Sequence, residues 1–126
     1  MNLLLDTHAL IWTVAEPTKL KKQWLAAIVD PSNSVWVSAI SIWEISIKLR
    51  LGKISLPRNW LEEATTRGYQ LLAFEPRHAK AVEYLPLHHR DPFDHALLAQ
   101  AQTEKFFLVT SDASLHAYAA EVQILA

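Results

Sequence analysis

The chain reads as an α/β protein with a central parallel sheet of about five strands, covered by helices on both faces. Three observations lead there. Short apolar runs recur along the whole length, and stretches of helical periodicity separate them. Punctuation falls between these segments, at Pro17, Pro31, Gly52, Pro57, Gly68, Pro76, Pro86 and Pro92.

In order, a strand is expected from Asn2 to Leu5, then a helix from Thr7 to Ala15 for which Asp6 is a natural N-cap. After Pro17 a helix runs from Lys19 to Val29, and a strand follows from Ser34 to Ser38. The next helix, Ile42 to Leu51, opens on Ser41-Ile-Trp-Glu44, which has the form of a capping box, and Glu44 is one turn from Lys48. A helix from Arg58 to Arg67, a strand from Tyr69 to Phe74 and a helix from Arg77 to Tyr84 fill the middle. The polar loop Pro86 to Asp91, PLHHRD, precedes the longest helix, Pro92 to Lys105, and reads either as a solvated connection or, lying next to one of the acids, as a substrate contact. Asp91 is suited to cap that helix, Pro92 to its first position, and Asp94 to the first turn, where the macrodipole favours an anion. A strand from Phe106 to Thr110, a helix from Ser114 to Ala119 and a strand from Glu121 to Leu125 complete the chain, with Asp112 as a cap or the head of an Asx-turn.

A length of 126 residues is one domain's worth, taken here as residues 1–126, and roughly two thirds of its unfolded surface can be buried at that size. Hydrophobic residues make up 51% and charged residues 20%, a globular composition. The five Trp (Trp12, Trp24, Trp36, Trp43, Trp60) are read as core, with an interface as their other use. With no cysteine, a disulfide frame and a thiolate metal site are excluded, which fits a reducing cytoplasm. The start, MNLLLDTHALIWTVAE, lacks a basic n-region and is interrupted by Asp6, so it does not read as a signal peptide. No apolar run reaches the length of a membrane span. A net charge of −1 argues against a generic nucleic-acid binder.

Four acids carry the functional reading: Asp6, Glu44, Asp94 and Asp112, each placed where a strand-like run gives way to a helical pattern. Strand-to-helix turns of a parallel sheet lie at its carboxyl edge, where ligands bind. Each acid alone has a sufficient structural explanation as a cap or an i,i+4 pair. Jointly they do not, because all four junctions would have to carry a carboxylate by coincidence. Two carboxylates about 5 Å apart repel by roughly 3 kcal/mol at an effective dielectric near 20, more than the ~1 kcal/mol of a helix cap. A hard divalent cation, Mg²⁺ or Mn²⁺, would offset that repulsion. With the four set aside, 12 basic residues face nine acidic ones, so attraction for phosphate would be local and aided by metal.

None of the six histidines forms a metal-binding pair at helical spacing; His88 and His89 read as solvent-facing or phosphate-contacting, and no histidine is assigned to the metal. Basic residues cluster in KLRLGK as Lys48, Arg50 and Lys53 and recur at Arg58, Arg67, Arg77, Lys80 and Arg90. Most read as a solvated helix face, and Lys48 alone has a direct route to the acids.

With these residues in view, the chain resembles the PIN-domain ribonucleases and, among them, the VapC toxins of bacterial toxin-antitoxin pairs. The resemblance rests on LLLDTHALIW, VSAISIWEISIKLRLGKISLP, HHRDPFDHALLAQA and LVTSD, in that order. It implies a three-layer α/β/α sandwich and a metal-dependent endoribonuclease. Asp6 and Asp94 would be the central ligands of Mg²⁺ or Mn²⁺, with Asp112 and Glu44 completing the site directly or through water. Thr7 and Ser38 would be hydroxyl neighbours, and Ser111 would steady the last acid. The substrate would be RNA and the partners a cognate antitoxin and a second copy, giving a homodimer and a larger complex. One departure is visible: relatives often read DPFDR where His95 stands here, so a contact made by that arginine to RNA or a carboxylate would be weaker and pH-dependent.

Two other functions compete. A receiver-like phospho-acceptor domain is also a small parallel unit with acids and Mg²⁺ at the sheet edge, but it needs a paired acid after the first strand and an acceptor Asp after the middle one. A non-catalytic module keeping the fold would use Trp12, Trp24, Trp43 and Trp60 to line a groove for a partner helix.

Overall fold

Leu3, Leu4 and Leu5 are all fully buried. Side chains alternate along a strand, so Leu3 and Leu5 enter one core while Leu4 enters a second. A strand apolar on both faces must be covered on both. The computed structural model describes residues 1–126 and has that arrangement. Its strands are β1 (Asn2–Leu5), β2 (Ser34–Ser38), β3 (Gln70–Leu72), β4 (Phe107–Val109) and β5 (Ile124–Leu125). Its helices are α1 (Thr7–Ala15), α2 (Lys22–Val29), α3 (Ala39–Arg50), α4 (Trp60–Thr66), α5 (Pro76–Ala81) and α6 (Pro92–Glu104). No helix is long and apolar enough to cross a membrane.

The sheet runs β3-β2-β1-β4-β5 and every neighbouring pair is parallel. From β1 the chain adds β2 and β3 on one side, then crosses to add β4 and β5 on the other. Successive connections therefore diverge at the carboxyl ends of β1 and β4, which opens a crevice there. This order also differs from the receiver-type 2-1-3-4-5 order, so the phospho-acceptor reading falls.

One core joins the sheet to α1, α2, α3 and α4 through Ala9, Leu10, Trp24, Ile45, Trp60 and Ala64. The other holds Ala96, Leu97, Leu98 and Ala101 of α6 with Leu115, Tyr118 and Val122 of the carboxyl-terminal segment. The Trp residues divide accordingly. Trp24 and Trp60 are buried and cannot line a surface groove, whereas Trp43 is 57% exposed.

Several boundaries differ from expectation, each with a local cause. α3 starts at Ala39 rather than Ile42, because Ser38 Oγ accepts from the Ile40 amide and caps it. The Ser41–Glu44 capping box is therefore not formed. β3 stops at Leu72, which pairs with Ser38, the last residue of β2. The expected helix over 114–119 is only a 3-10 turn, His116–Tyr118, because Ser114 spends its amide and hydroxyl on Asp112. β5 begins late because the Glu121 and Val122 amides both donate to the Tyr118 carbonyl. The segment before α2 is likewise a 3-10 turn, Pro17–Lys19, and α5 passes into another, Val82–Tyr84. α3 ends at Arg50, and beyond it Gly52, with a φ of 71°, permits the left-handed turn that returns the Lys53 amide to the Lys48 carbonyl.

Candidate active site

Asp6 is fastened where β1 meets β4. Its amide donates to the Val109 carbonyl at 3.1 Å, its Oδ1 accepts from the Ala9 amide at 2.8 Å to cap α1, and it is 5% exposed. Asp112 follows β4. Its amide donates to Thr110 Oγ1 at 3.1 Å, and its Oδ1 accepts from the Ser114 amide and hydroxyl at 2.9 and 2.7 Å, an Asx-turn. Each short polar contact turns a carboxylate at the end of a strand toward the crevice.

The other two acids arrive differently. Glu44 lies inside α3 rather than at a strand-to-helix junction. It is buried, with Oε1 accepting from Thr7 Oγ1 at 2.8 Å and Oε2 paired with Lys48 Nζ at 3.0 Å. Asp94 is in the first turn of α6, which follows a loop rather than a strand. Asp91 caps that helix by accepting from the Phe93 and Asp94 amides at 2.8 and 3.4 Å, which leaves the Asp94 side chain free. Asp94 Oδ2 meets His89 Nε2 at 2.8 Å.

All four expected acids line one pocket of about 150 Å³, together with Thr7, His8, Lys48, His89 and Asp91. No apolar residue lines it. Thr7 is beside Glu44 as expected. Ser38 is not in the pocket; as the cap of α3 it donates instead to Gln100 Oε1. Ser114, not Ser111, hydrogen-bonds Asp112. His95 reaches no carboxylate, and its Nε2 donates to the His89 backbone carbonyl. Among the basic residues Lys48 alone reaches the acids, while Arg67 donates to the Thr13 carbonyl and Arg77 pairs with Glu75 and Glu104.

His89 is the residue that sequence patterning does not place here. It sits on a loop, where no periodicity predicts direction, yet donor atoms of His89, Asp94 and Asp112 lie within 4.8 Å of one another. Its spacing of five residues before Asp94, just ahead of a capped helix, was the available signal.

Burial raises the proton affinity of the Asp6 carboxyl, with hydrogen bonds from Thr110 and Ala9 opposing it. Burial also pushes Asp94 up to about 6, and the Asp91 and Glu44 charges add to the effect while His89 works against it. Asp112 is held below the ordinary carboxylate range by its hydrogen bonds from Ser114. Lys48 is committed to Glu44, and beyond it only the imidazoles of His8 and His89 face the acids, so negative charge stays in excess. Clustered carboxylate oxygens with that excess are the donor set a hard divalent cation requires, and Asp6, Asp94, Asp112 and Glu44 could hold one.

Comparison with known proteins agrees with this architecture. The chain is similar in structure to VapBC2 from Rickettsia felis bound to a promoter DNA fragment, with a TM-score of 0.76 and 13% identity over 99% of this chain and 98% of that one. It is also similar to DNA-bound VapBC from Salmonella typhimurium (TM-score 0.71, 16% identity, 99% and 97% covered) and to FitAcB from Neisseria gonorrhoeae (TM-score 0.62, 22% identity, 98% and 96% covered). At these identities the likeness speaks for the fold. A search by sequence among curated proteins finds no match. The model of the PIN domain, however, matches residues 3–121, nearly the whole chain, and on that ground the chain belongs to the PIN domain family.

Proposed function

We propose that this chain is a metal-dependent endoribonuclease acting as the toxin of a toxin-antitoxin pair. PIN domains are nucleases. The observation that carries the reading is the convergence of Asp6, Glu44, Asp94 and Asp112, from distant stretches of the chain, on one pocket without an apolar lining.

In this reading Asp6 and Asp94 would be the central ligands of Mg²⁺ or Mn²⁺, with Asp112 and Glu44 completing the site directly or through water. A bound ion would supply Lewis-acid stabilisation of the phosphate and a water of lowered pKa. The chain's own residues do the positioning. Asp6 is rigid because it caps α1 and is tied to β4 through its amide, and Thr7 and Lys48 fix both oxygens of Glu44. Such fixed placement is what in-line attack on a phosphodiester demands. Lys48 also keeps a cation at the pocket wall, where it can meet a phosphate oxygen.

A cognate antitoxin is the partner that the similar structures favour, since VapBC are toxin-antitoxin complexes. An apolar groove of about 310 Å³ lined by Ile40, Trp43, Phe74 and Phe93 supports that role. Trp43 and Phe93 directly precede Glu44 and Asp94, so a segment seated there would lie next to the acids. A homodimer, a larger complex and a cytoplasmic location belong to the same proposal. A non-catalytic binding module would use the groove alone.

The test is cleavage of total RNA by the purified, partner-free protein in Mn²⁺, beside EDTA-treated protein and Asp94→Asn. Cuts seen only in the metal-loaded wild type are expected. Equal activity in EDTA would refute the mechanism, and no cleavage under any condition would leave the binding-module reading in its place.

A further inference from the structure

We propose that His89 is itself a ligand of the divalent ion, adding an imidazole nitrogen to the carboxylate oxygens and shifting the site's preference from Mg²⁺ toward first-row transition ions. This rests on the metal-dependent reading above and adds to it a residue outside the acidic quartet.

Spacing is the first support. His89 Nε2 lies 2.8 Å from Asp94 Oδ2, and one donor atom each from His89, Asp94 and Asp112 fall within 4.8 Å of one another. Around an ion with bonds of roughly 2.1 Å, adjacent donors stand about 3 Å apart and opposite donors about 4.2 Å. The nitrogen and Oδ2 are therefore already at the separation of neighbouring ligands. Asp6 and Glu44 do not join this tight group. Both oxygens of Glu44 are engaged, by Thr7 and Lys48, so its direct entry would break a contact. At His89 the ion would take the place of the single proton shared between Nε2 and Asp94 Oδ2, with the ring proton carried on Nδ1, so both partners of that contact stay in place as ligands.

Preorganisation is the second. The His88 and His89 amides both donate to Tyr118 Oη, at 3.0 and 3.1 Å, and Tyr118 is fully buried. His95 Nε2 donates to the His89 carbonyl. The backbone of His89 is thus held at both its amide and its carbonyl by residues outside the acidic pocket. A side chain turned to solvent would gain nothing from that clamp, whereas a metal ligand must be fixed before the ion arrives. His95 thereby becomes a positioning residue for the ligand.

Softness of the donor then sets the preference. Imidazole suits transition ions, and Mg²⁺ favours an all-oxygen shell.

The discriminating experiment measures Mn²⁺ on the intact protein by electron paramagnetic resonance, with Mg²⁺ read by competition, in wild type, His89→Gln, His89→Ala and Asp94→Asn. His89→Gln keeps a hydrogen-bond donor for Asp94 but not an imidazole. Expected are a nitrogen hyperfine coupling in wild type that both His89 variants lose, a fall in Mn²⁺ affinity of about tenfold or more in both, and a change in Mg²⁺ affinity of less than about threefold. Absence of nitrogen coupling in wild type, or recovery of Mn²⁺ affinity in His89→Gln, would overturn the proposal and leave His89 as a support for Asp94. Mn²⁺ bound equally well by Asp94→Asn, or not at all by wild type, would instead remove the metal reading and this proposal together.

Discussion

Thr7 Oγ1 donates to Glu44 Oε1 at 2.8 Å, joining the first residue of α1 to the second turn of α3 across the candidate site. The carboxylate is almost enclosed, at 8% exposure, so this bond is its main compensation on one side. Thr7→Val keeps the shape and removes the donor. The expected cost is about 1–3 kcal/mol, the penalty for an orphaned buried acceptor. Urea unfolding should show a lower midpoint at unchanged slope, and Thr7→Ser should restore most of it.

Replacing Asp6 or Asp94 by Asn should reduce RNA cleavage by more than about a hundredfold, as expected when metal ligands and the charge they stabilise are lost. The fold should survive both changes for different reasons. Asn caps a helix about as well as Asp, so the start of α1 is preserved in Asp6→Asn. In Asp94→Asn a half-buried charge disappears, and the metal-free variant should melt no lower than wild type at neutral pH. Circular dichroism and thermal unfolding beside the cleavage assay check both.

The metal-free protein should lose stability as pH rises from about 4 to about 6. Asp94 titrates near 6 in the folded chain against an ordinary 3.8, so between these values the native state binds more protons than the unfolded one. Stability then falls with increasing pH across that window and levels off above it. Asp6, also raised, adds to the same slope. Asp112, held low, works the other way below about 4, where its protonation costs stability. Melting temperatures measured in EDTA at pH 4.5 and 7 should show the decline, and Asp94→Asn should flatten it.

Tyr118→Phe should loosen the loop ahead of α6. The variant deprives two amides, of His88 and His89, of their shared acceptor. Amide hydrogen exchange at those two residues should accelerate by about tenfold or more, in line with the roughly 1–1.5 kcal/mol of a lost hydrogen bond, while exchange in β1 stays slow.

The sheet was readable because its strands are apolar on both faces: NLLL and SVWVS have their expected limits, and α1 runs from Thr7 to Ala15 as its Asp6 cap implies. The acids were readable as a set, and Asp6, Glu44, Asp94 and Asp112 do share a pocket. The route by which they reach it was not. Glu44 looked like a capping residue because S-x-x-E at positions 41–44 is a local pattern, whereas the competing cap, Ser38, is marked only by its place at the end of β2. The short last turn and the late start of β5 depend on side-chain and carbonyl bonds to Asp112 and Tyr118 that no periodicity encodes. His89 escaped for a related reason: a loop side chain is aimed by what holds its backbone, here Tyr118 and His95, which lie 29 and six residues away.

The outermost strands, β3 and β5, have three and two residues. Such brief margins present few free amides and carbonyls, too few for a visiting peptide to zip on as an additional strand. The flanks of the sheet are thereby inert toward ribbon-like polymerisation, and any contact between copies would have to be made side chain to side chain.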